Sequence, residues 1–240
     1  FERDEPYSQS ITAPFRLDCA LTYRTSSGIE SDAPMDRVKR ELRTEEWVTI
    51  MHKAWDAGIP HLVFTGGEPT LRPDLVELIT EAERLGQVTG LITDGLRLSE
   101  HHYLEKILQA GLDHVLIVLN PDLETSWEAI RDTIPEDVSL TVHLTMTPRS
   151  RGNFTKMIDR LAAMGVPALS ISTSDPSLSN EMEAVQQYLA ERGIKLIWDL
   201  PVPYSRQHPV AVELARSGEA VNGAGKAWLY VEPDGDVLPG

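Results

Sequence analysis

The segment Val63-Phe64-Thr65-Gly66-Gly67-Glu68-Pro69-Thr70-Leu71-Arg72-Pro73-Asp74-Leu75 carries the densest chemical information in this 240-residue chain. A short apolar run delivers two glycines, a carboxylate and a proline to one point. Glycines at the end of a buried strand let a ligand approach the backbone closely. Exposed N–H and C=O groups there can bind the amino group or the carboxylate of a zwitterion. Glu68 adds a negative charge at the same rim, and Pro69 stiffens the turn. The spacing is neither Gly-x-Gly-x-x-Gly nor Gly-x-x-x-x-Gly-Lys-Ser/Thr, so the usual nucleotide-binding readings fail. The competing explanation is a tight βα turn whose glycines solve only a steric problem.

Other residues carry weaker signals. His143 lies on the alternating run Thr141-Val142-His143-Leu144-Thr145-Met146, as a substrate contact or a hydrogen-bonded structural histidine. His101-His102 opens a helix, where adjacent side chains diverge, which fits a solvated pair better than a metal site. Asp175 and Asp199 follow strands, where ligands bind in open α/β sheets, although turn and capping roles compete. Arg149-Ser150-Arg151 reads as a solvated basic loop, and Cys19 as a small buried hydrophobe. A lysine or metal triad at strand ends, which a hydrolytic or aldolase-type barrel needs, is not found.

The elements that must position these residues alternate between short apolar runs and amphipathic segments, the pattern of βα units around a parallel sheet. Strands are expected at Phe15–Tyr23, His61–Thr65, Val88–Thr93, His114–Leu119, Ser139–Met146, Ala168–Ser172 and Lys195–Asp199. The intervening helices run from Thr44, taken as an N-cap, to about Ala57, and then over Pro73–Leu85, Ser99–Ala110, Thr125–Asp132, Asn153–Met164 and Ser179–Arg192. Six or seven such units are too few for a closed eight-fold barrel and suit an open partial (β/α)6 barrel. After about residue 200 the pattern changes: prolines, a short helix at Val210–Ser217, and a β-hairpin pairing Ala227–Val231 with Val237-Leu238 across Pro233-Asp234-Gly235. Residues 1–200 are thus expected as the barrel and 201–240 as a C-terminal extension.

Composition bounds the function. Asp plus Glu number 37 against 22 Lys plus Arg, giving a formal charge of -15 that repels nucleic acid and anionic lipid overall. No stretch approaches the roughly 18–20 apolar residues of a spanning helix. One cysteine excludes an internal disulfide framework and points to a cytoplasmic setting. The opening Phe1 and the strand-like ending Asp236–Gly240 read as trimmed ends.

Thr65-Gly66-Gly67-Glu68-Pro69 resembles the Gly-Gly-Glu-Pro motif of the radical S-adenosylmethionine (radical SAM) superfamily, whose backbone holds the methionyl amino group. Leu21-Thr22-Tyr23-Arg24 is similar to the end of that family's first strand, and Glu41-Leu42-Arg43-Thr44-Glu45-Glu46-Trp47 to the entry of its first helix. Thr93-Asp94-Gly95 resembles its Thr-Asn-Gly turn, and Val118-Leu119-Asn120 occupies the place of its Ser-x-Asp. The hairpin from Trp228 to Pro239 resembles the start of the SPASM or twitch extension. The resemblance implies S-adenosylmethionine as cofactor, with Gly66, Gly67, Glu68 and Pro69 at its amino group and Thr93 and Asn120 at the methionine or ribose. It also implies a small-molecule or peptide substrate, a reductant protein, and a [4Fe–4S] cluster that cleaves the cofactor to a 5′-deoxyadenosyl radical.

That cluster needs three thiolates spaced Cys-x-x-x-Cys-x-x-Cys after the first strand, soft anionic ligands that hydroxyl or aliphatic groups do not replace. An overlay puts Thr25, Ile29 and Asp32 at those positions, and Asn222 and Gly240 where auxiliary-cluster cysteines often stand. Two expectations follow. Either a cysteine-bearing loop belongs between Arg24 and Thr25, making the protein a radical SAM enzyme, or the chain is a cluster-free barrel that binds S-adenosylmethionine or a peptide as a partner protein.

Overall fold

The structure, a computed structural model, describes residues 14–27, 29, 38–173, 175–197 and 228–238. Six βα units run β1 (Arg16–Thr22), α1 (Thr44–Asp56), β2 (His61–Gly66), α2 (Leu75–Leu85), β3 (Val88–Thr93), α3 (His101–Gln109), β4 (His114–Val118), α4 (Glu124–Thr133), β5 (Ser139–Met146), α5 (Phe154–Met164), β6 (Ala168–Thr173) and α6 (Ser179–Glu191). A two-residue β7 (Lys195–Leu196) and the hairpin β8 (Trp228–Val231) and β9 (Val237–Leu238) follow. Strands β1 to β7 pair in parallel in chain order, and the sheet is open, with β7 at one edge and β9 at the other.

The hairpin forms as the sequence predicts, but it does not stand apart from the barrel. β8 pairs in parallel with β1, Arg16 opposite Trp228 and Cys19 opposite Val231, and β9 returns antiparallel to β8. The last barrel strand is shorter than the expected Lys195–Asp199, and Asp199 and the helix expected at Val210–Ser217 lie outside the described residues.

Alternation along each strand divides the side chains between two faces. Cys19, Phe64, Ile117 and Val142 point to the helices and join Trp47, Ile79, Ile130 and Phe154 in one continuous buried core. The concave face is mixed. Val63, Ile92, Leu116 and Val118 form an apolar patch there, and Thr141, His143, Ser170 and Ser172 form a polar one.

The start of α1 corrects one expectation. The N-cap is Arg43 rather than Thr44, and the Glu46 carboxylate accepts from the Arg43 backbone N–H at 2.9 Å. The Thr44 hydroxyl instead donates to Asp74 at 2.7 Å, tying the entry of α1 to that of α2. Among the described residues, no helix is long and apolar enough to cross a membrane.

Candidate functional site

The carboxyl ends of β1, β2, β3 and β4 meet in a hydrogen-bonded rim. Gly66 (φ 127°) and Gly67 sit against the end of β1, where a Cβ on Gly66 would overlap the Thr22 carbonyl oxygen and one on Gly67 that of Arg24. The Gly67 N–H donates to the Thr22 carbonyl at 2.6 Å and the Glu68 N–H to that of Arg24 at 2.7 Å. The steric role of the glycines is therefore real, and it leaves a specific remainder. The Glu68 and Pro69 carbonyls accept from the Leu71 (3.2 Å) and Arg72 (3.0 Å) N–H groups, so what the turn offers a ligand is the carbonyl oxygen of Gly66 and Gly67, which accepts from an ammonium group and repels a carboxylate.

Glu68 is not a free rim charge. It is 1% exposed, and Oε1 accepts from the Thr70 N–H (2.9 Å), the Thr70 hydroxyl (2.5 Å) and the Thr93 hydroxyl (2.8 Å). Oε2 accepts from the Asp94 N–H at 2.7 Å. Burial, with the nearby Asp94 charge adding to it, pushes the carboxyl up to about 8. Thr93, whose hydroxyl also accepts from the Gly95 N–H at 3.0 Å, is a link in the same brace. Pro69 opens the buried 3₁₀ turn Pro69–Leu71.

Asn120 joins this rim through a relay. Its N–H donates to the Ser126 hydroxyl at 3.2 Å, and that hydroxyl donates to the Asp94 carbonyl at 3.3 Å. Its side-chain oxygen accepts from the Asp122 N–H at 3.1 Å, closing a local turn. The structure thus links Glu68, Thr93 and Asn120 in one network, and Ser126, which sequence reasoning missed, is the connector.

A second missed residue is Arg72. Its guanidinium is buried, grips Asp74 through Nε (2.8 Å) and Nη2 (2.6 Å), and donates from Nη1 to the carbonyls of Leu21 (3.1 Å) and Leu42 (2.9 Å). Glu41 adds a hydrogen bond from the Thr22 hydroxyl and an ion pair with Arg24 at 3.6 Å. The signal was available in Arg72-Pro73-Asp74, directly after the motif. Beyond Arg24 the chain turns on itself: the Thr25 hydroxyl donates to the Ile29 carbonyl at 3.0 Å and the Ile29 N–H to the Ser26 carbonyl at 3.1 Å.

The weaker candidates resolve as structural. His143 is buried, with Nδ1 3.0 Å from the Ser170 hydroxyl and Nε2 2.9 Å from that of Ser172. His101 and His102 are exposed beside Glu105, and Arg149 and Arg151 pair with Asp122 and Glu181. Asp175 accepts from the Ser177 N–H at 2.8 Å in a turn. Burial raises the Cys19 thiol well above its ordinary value, which makes it inert.

An open parallel sheet with its polar rim at the carboxyl ends of the strands defines the partial-barrel class. The protein-family model "Radical SAM superfamily" matches residues 19–136. The chain is 28% identical over 263 aligned positions to PqqA peptide cyclase of Rhizobium meliloti, covering 95% of this chain and 68% of that protein. It is 31% identical to PqqA peptide cyclase of Granulibacter bethesdensis, covering 68% of this chain and 48% of that one. In fold it is similar to Streptococcus suis SuiB bound to S-adenosylmethionine, with TM-score 0.69, 15% identity, and coverage of 95% of this chain and 58% of SuiB. SuiB bound to the precursor peptide SuiA superposes with TM-score 0.66, at 16% identity over 95% of this chain and 60% of that one. The chain belongs to the radical SAM superfamily.

The family's two cofactors fare differently here. The carbonyl-bearing turn at Gly66–Pro69 suits the amino group of S-adenosylmethionine. An iron–sulfur cluster does not fit: the sequence runs directly from Arg24 into Thr25, position 29 is isoleucine, and the only thiol, Cys19, is buried in β1.

Proposed function

We propose that this chain is a cluster-free member of the radical SAM superfamily that binds S-adenosylmethionine and a peptide, serving a peptide-modifying reaction as a partner protein. The observation that carries this reading is the retention of the rim around Gly66, Gly67, Glu68 and Pro69 beside the loss of every thiolate position. A missing loop after Arg24 accounts for the three positions overlaid on Thr25, Ile29 and Asp32, but not for Asn222 and Gly240 at the auxiliary positions. The carbonyls of Gly66 and Gly67 take the methionyl ammonium. Glu68, braced by Thr70, Thr93 and Asp94, fixes the turn, and the relay to Asn120 sets the neighbouring wall beside the methionine or ribose. A peptide is proposed to lie at the carboxyl ends of the strands beside this rim, in keeping with the peptide-acting relatives. Residues 201–240 are proposed as the start of a SPASM-like extension, with its hairpin built into the barrel sheet.

A second reading, a radical enzyme with a cysteine-bearing loop between Arg24 and Thr25, is favoured by one observation. The alignment to the Rhizobium cyclase spans 263 positions, more than the 240 residues of this chain, so that relative carries insertions. Peptide mapping by mass spectrometry across Arg24–Thr25, with calorimetric titration of S-adenosylmethionine, separates the two. A direct Arg24–Thr25 peptide, saturable binding and no absorbance near ~400 nm after anaerobic iron and sulfide loading support the partner protein. Extra residues bearing three cysteines restore the enzyme, and absence of binding removes the cofactor from both.

A further inference from the structure

We propose that the amino-terminal end of the barrel, opposite the rim, is a second binding site, taking a small organic anion with an apolar body on His61 and His114. A cavity of about 460 Å³ opens there, inside the ~300–1,000 Å³ range of small-molecule sites. Phe15, Val63, Leu116 and Ile197 supply apolar wall, and Ser139 and Thr141 supply hydroxyls.

The imidazoles are the first observation. His52 lies against Glu81, His101 and His102 against Glu105, and His143 against two serines. Among the described residues His61 and His114 have no such partner, and both line the cavity. A half-buried imidazole without a hydrogen bond has donor capacity to offer a ligand.

Gly90 is the second. It faces His114 across the β3–β4 ladder, and a Cβ there would overlap the His114 ring at Nε2. Its φ lies outside the left-handed region, so the backbone does not require glycine. What the missing side chain provides is the seat of the imidazole.

The sign of the field is the third. The chain carries a formal charge of -15, yet Arg16 acts on both imidazoles more strongly than Asp113 does. Burial and then Arg16 hold His61 and His114 below the ordinary histidine value, with His61 adding to the effect at His114 and Asp113 opposing it. Asp113 is itself engaged, accepting from the Thr89 N–H at 2.7 Å. Asp18 is bonded to Arg16 at 2.5 and 2.9 Å and pushed up to about 6 by burial, so that above this value the two form a neutral pair. A carboxylate entering the cavity meets imidazole N–H donors, while an aromatic or aliphatic body rests on Phe15 and Leu116. Such an anion raises the imidazole pKa values, so it binds more tightly as pH falls.

The test is a titration of the full chain with sodium benzoate, reading the histidine ring signals by NMR at pH 7.5 and 6.0, against benzamide as neutral isostere and inorganic phosphate as an anion without a body. Benzoate is expected to shift two imidazole signals saturably, to bind at least tenfold tighter than benzamide, and to tighten at pH 6.0. Gly90→Ala, which displaces the His114 ring, and His114→Ala are each expected to weaken benzoate at least fivefold and to leave S-adenosylmethionine binding unchanged, so failure here is distinct from failure at the rim. Equal binding of benzamide, phosphate as tight as benzoate, no saturation, or indifference to both substitutions overturns the proposal.

Discussion

The two ends of the same strands treat polar groups in opposite ways. At the carboxyl end Glu68, Thr93, Arg72 and Asp74 are enclosed and consume one another's hydrogen bonds. At the amino end His61 and His114 line open space with no hydrogen-bond partner among the described residues. Families that cross-link their first loop with a metal cluster gain order from it. Here the described residues on either side of that loop are held by side chains, through the Arg72 carbonyl contacts, the Glu41 network and the bond from Thr25 to Ile29. Internal satisfaction makes a scaffold, whereas unspent capacity marks a place for something else.

Substitutions at the rim should therefore be costly, and those at the base cheap. Arg72→Ala removes one partner of a buried ion pair and orphans two carbonyls, with an expected loss of about 3–5 kcal/mol in chemical denaturation. Gly67→Ala forces the backbone of Tyr23 and Arg24 aside, at an expected cost of about 1–3 kcal/mol together with weaker S-adenosylmethionine binding in calorimetry. The pH dependence of stability follows from the raised carboxyls. The folded state holds protons on Glu68 (about 8) and Asp18 (about 6) that the unfolded chain releases near 4.5 and 3.8. Stability from these groups is present below the unfolded values and is lost as pH rises through 6 and then 8. Thermal melts from pH 5 to pH 8 should show that decline, and Glu68→Gln should flatten its upper part while leaving the lower part to Asp18.

Two smaller effects sharpen the contrast. Thr65 is a departure from the rule at the rim, a buried hydroxyl with no partner among the described residues, on the face that carries Ala20, Val63 and Ile92. Thr65→Val should raise stability by about 1 kcal/mol in the same melts. His114→Ala at the base should change stability by no more than about 0.5 kcal/mol, and a loss comparable to that of Arg72→Ala would show that the base is scaffold too.

The βα alternation was legible because apolar periodicity and glycine stops report local structure directly, and the boundaries of β3 and β5 coincide with the expected ones. Gly66 through Pro69 stood out for the same reason, as a dense local motif. What the residues did there was not legible. Glu68 reads as a rim charge until Thr70, Thr93 and Asp94 are seen to surround it, and the last two come from the end of β3. Arg72, Ser126 and Glu41 act through contacts 30 or more residues away in sequence, or across to β1, which no spacing rule anticipates. Thr44 was read as an N-cap on residue type, and tertiary pairing with Asp74 claimed its hydroxyl instead. The base cavity left no motif at all, because Arg16, His61, Gly90 and His114 lie on four separate strands.

The pairing of β8 with β1 also sets an order of assembly. Arg16 waits for Trp228, more than 200 residues further along the chain, which at ribosomal rates of about 5–20 residues per second is on the order of ten to forty seconds. Through that interval one flank of β1 is an unpaired parallel edge, a template for any extended strand nearby. The hairpin is thus a late latch on the nascent chain, and a ribosome stalled before residue 228 would hold a nearly complete barrel whose first strand is still open to the wrong partner.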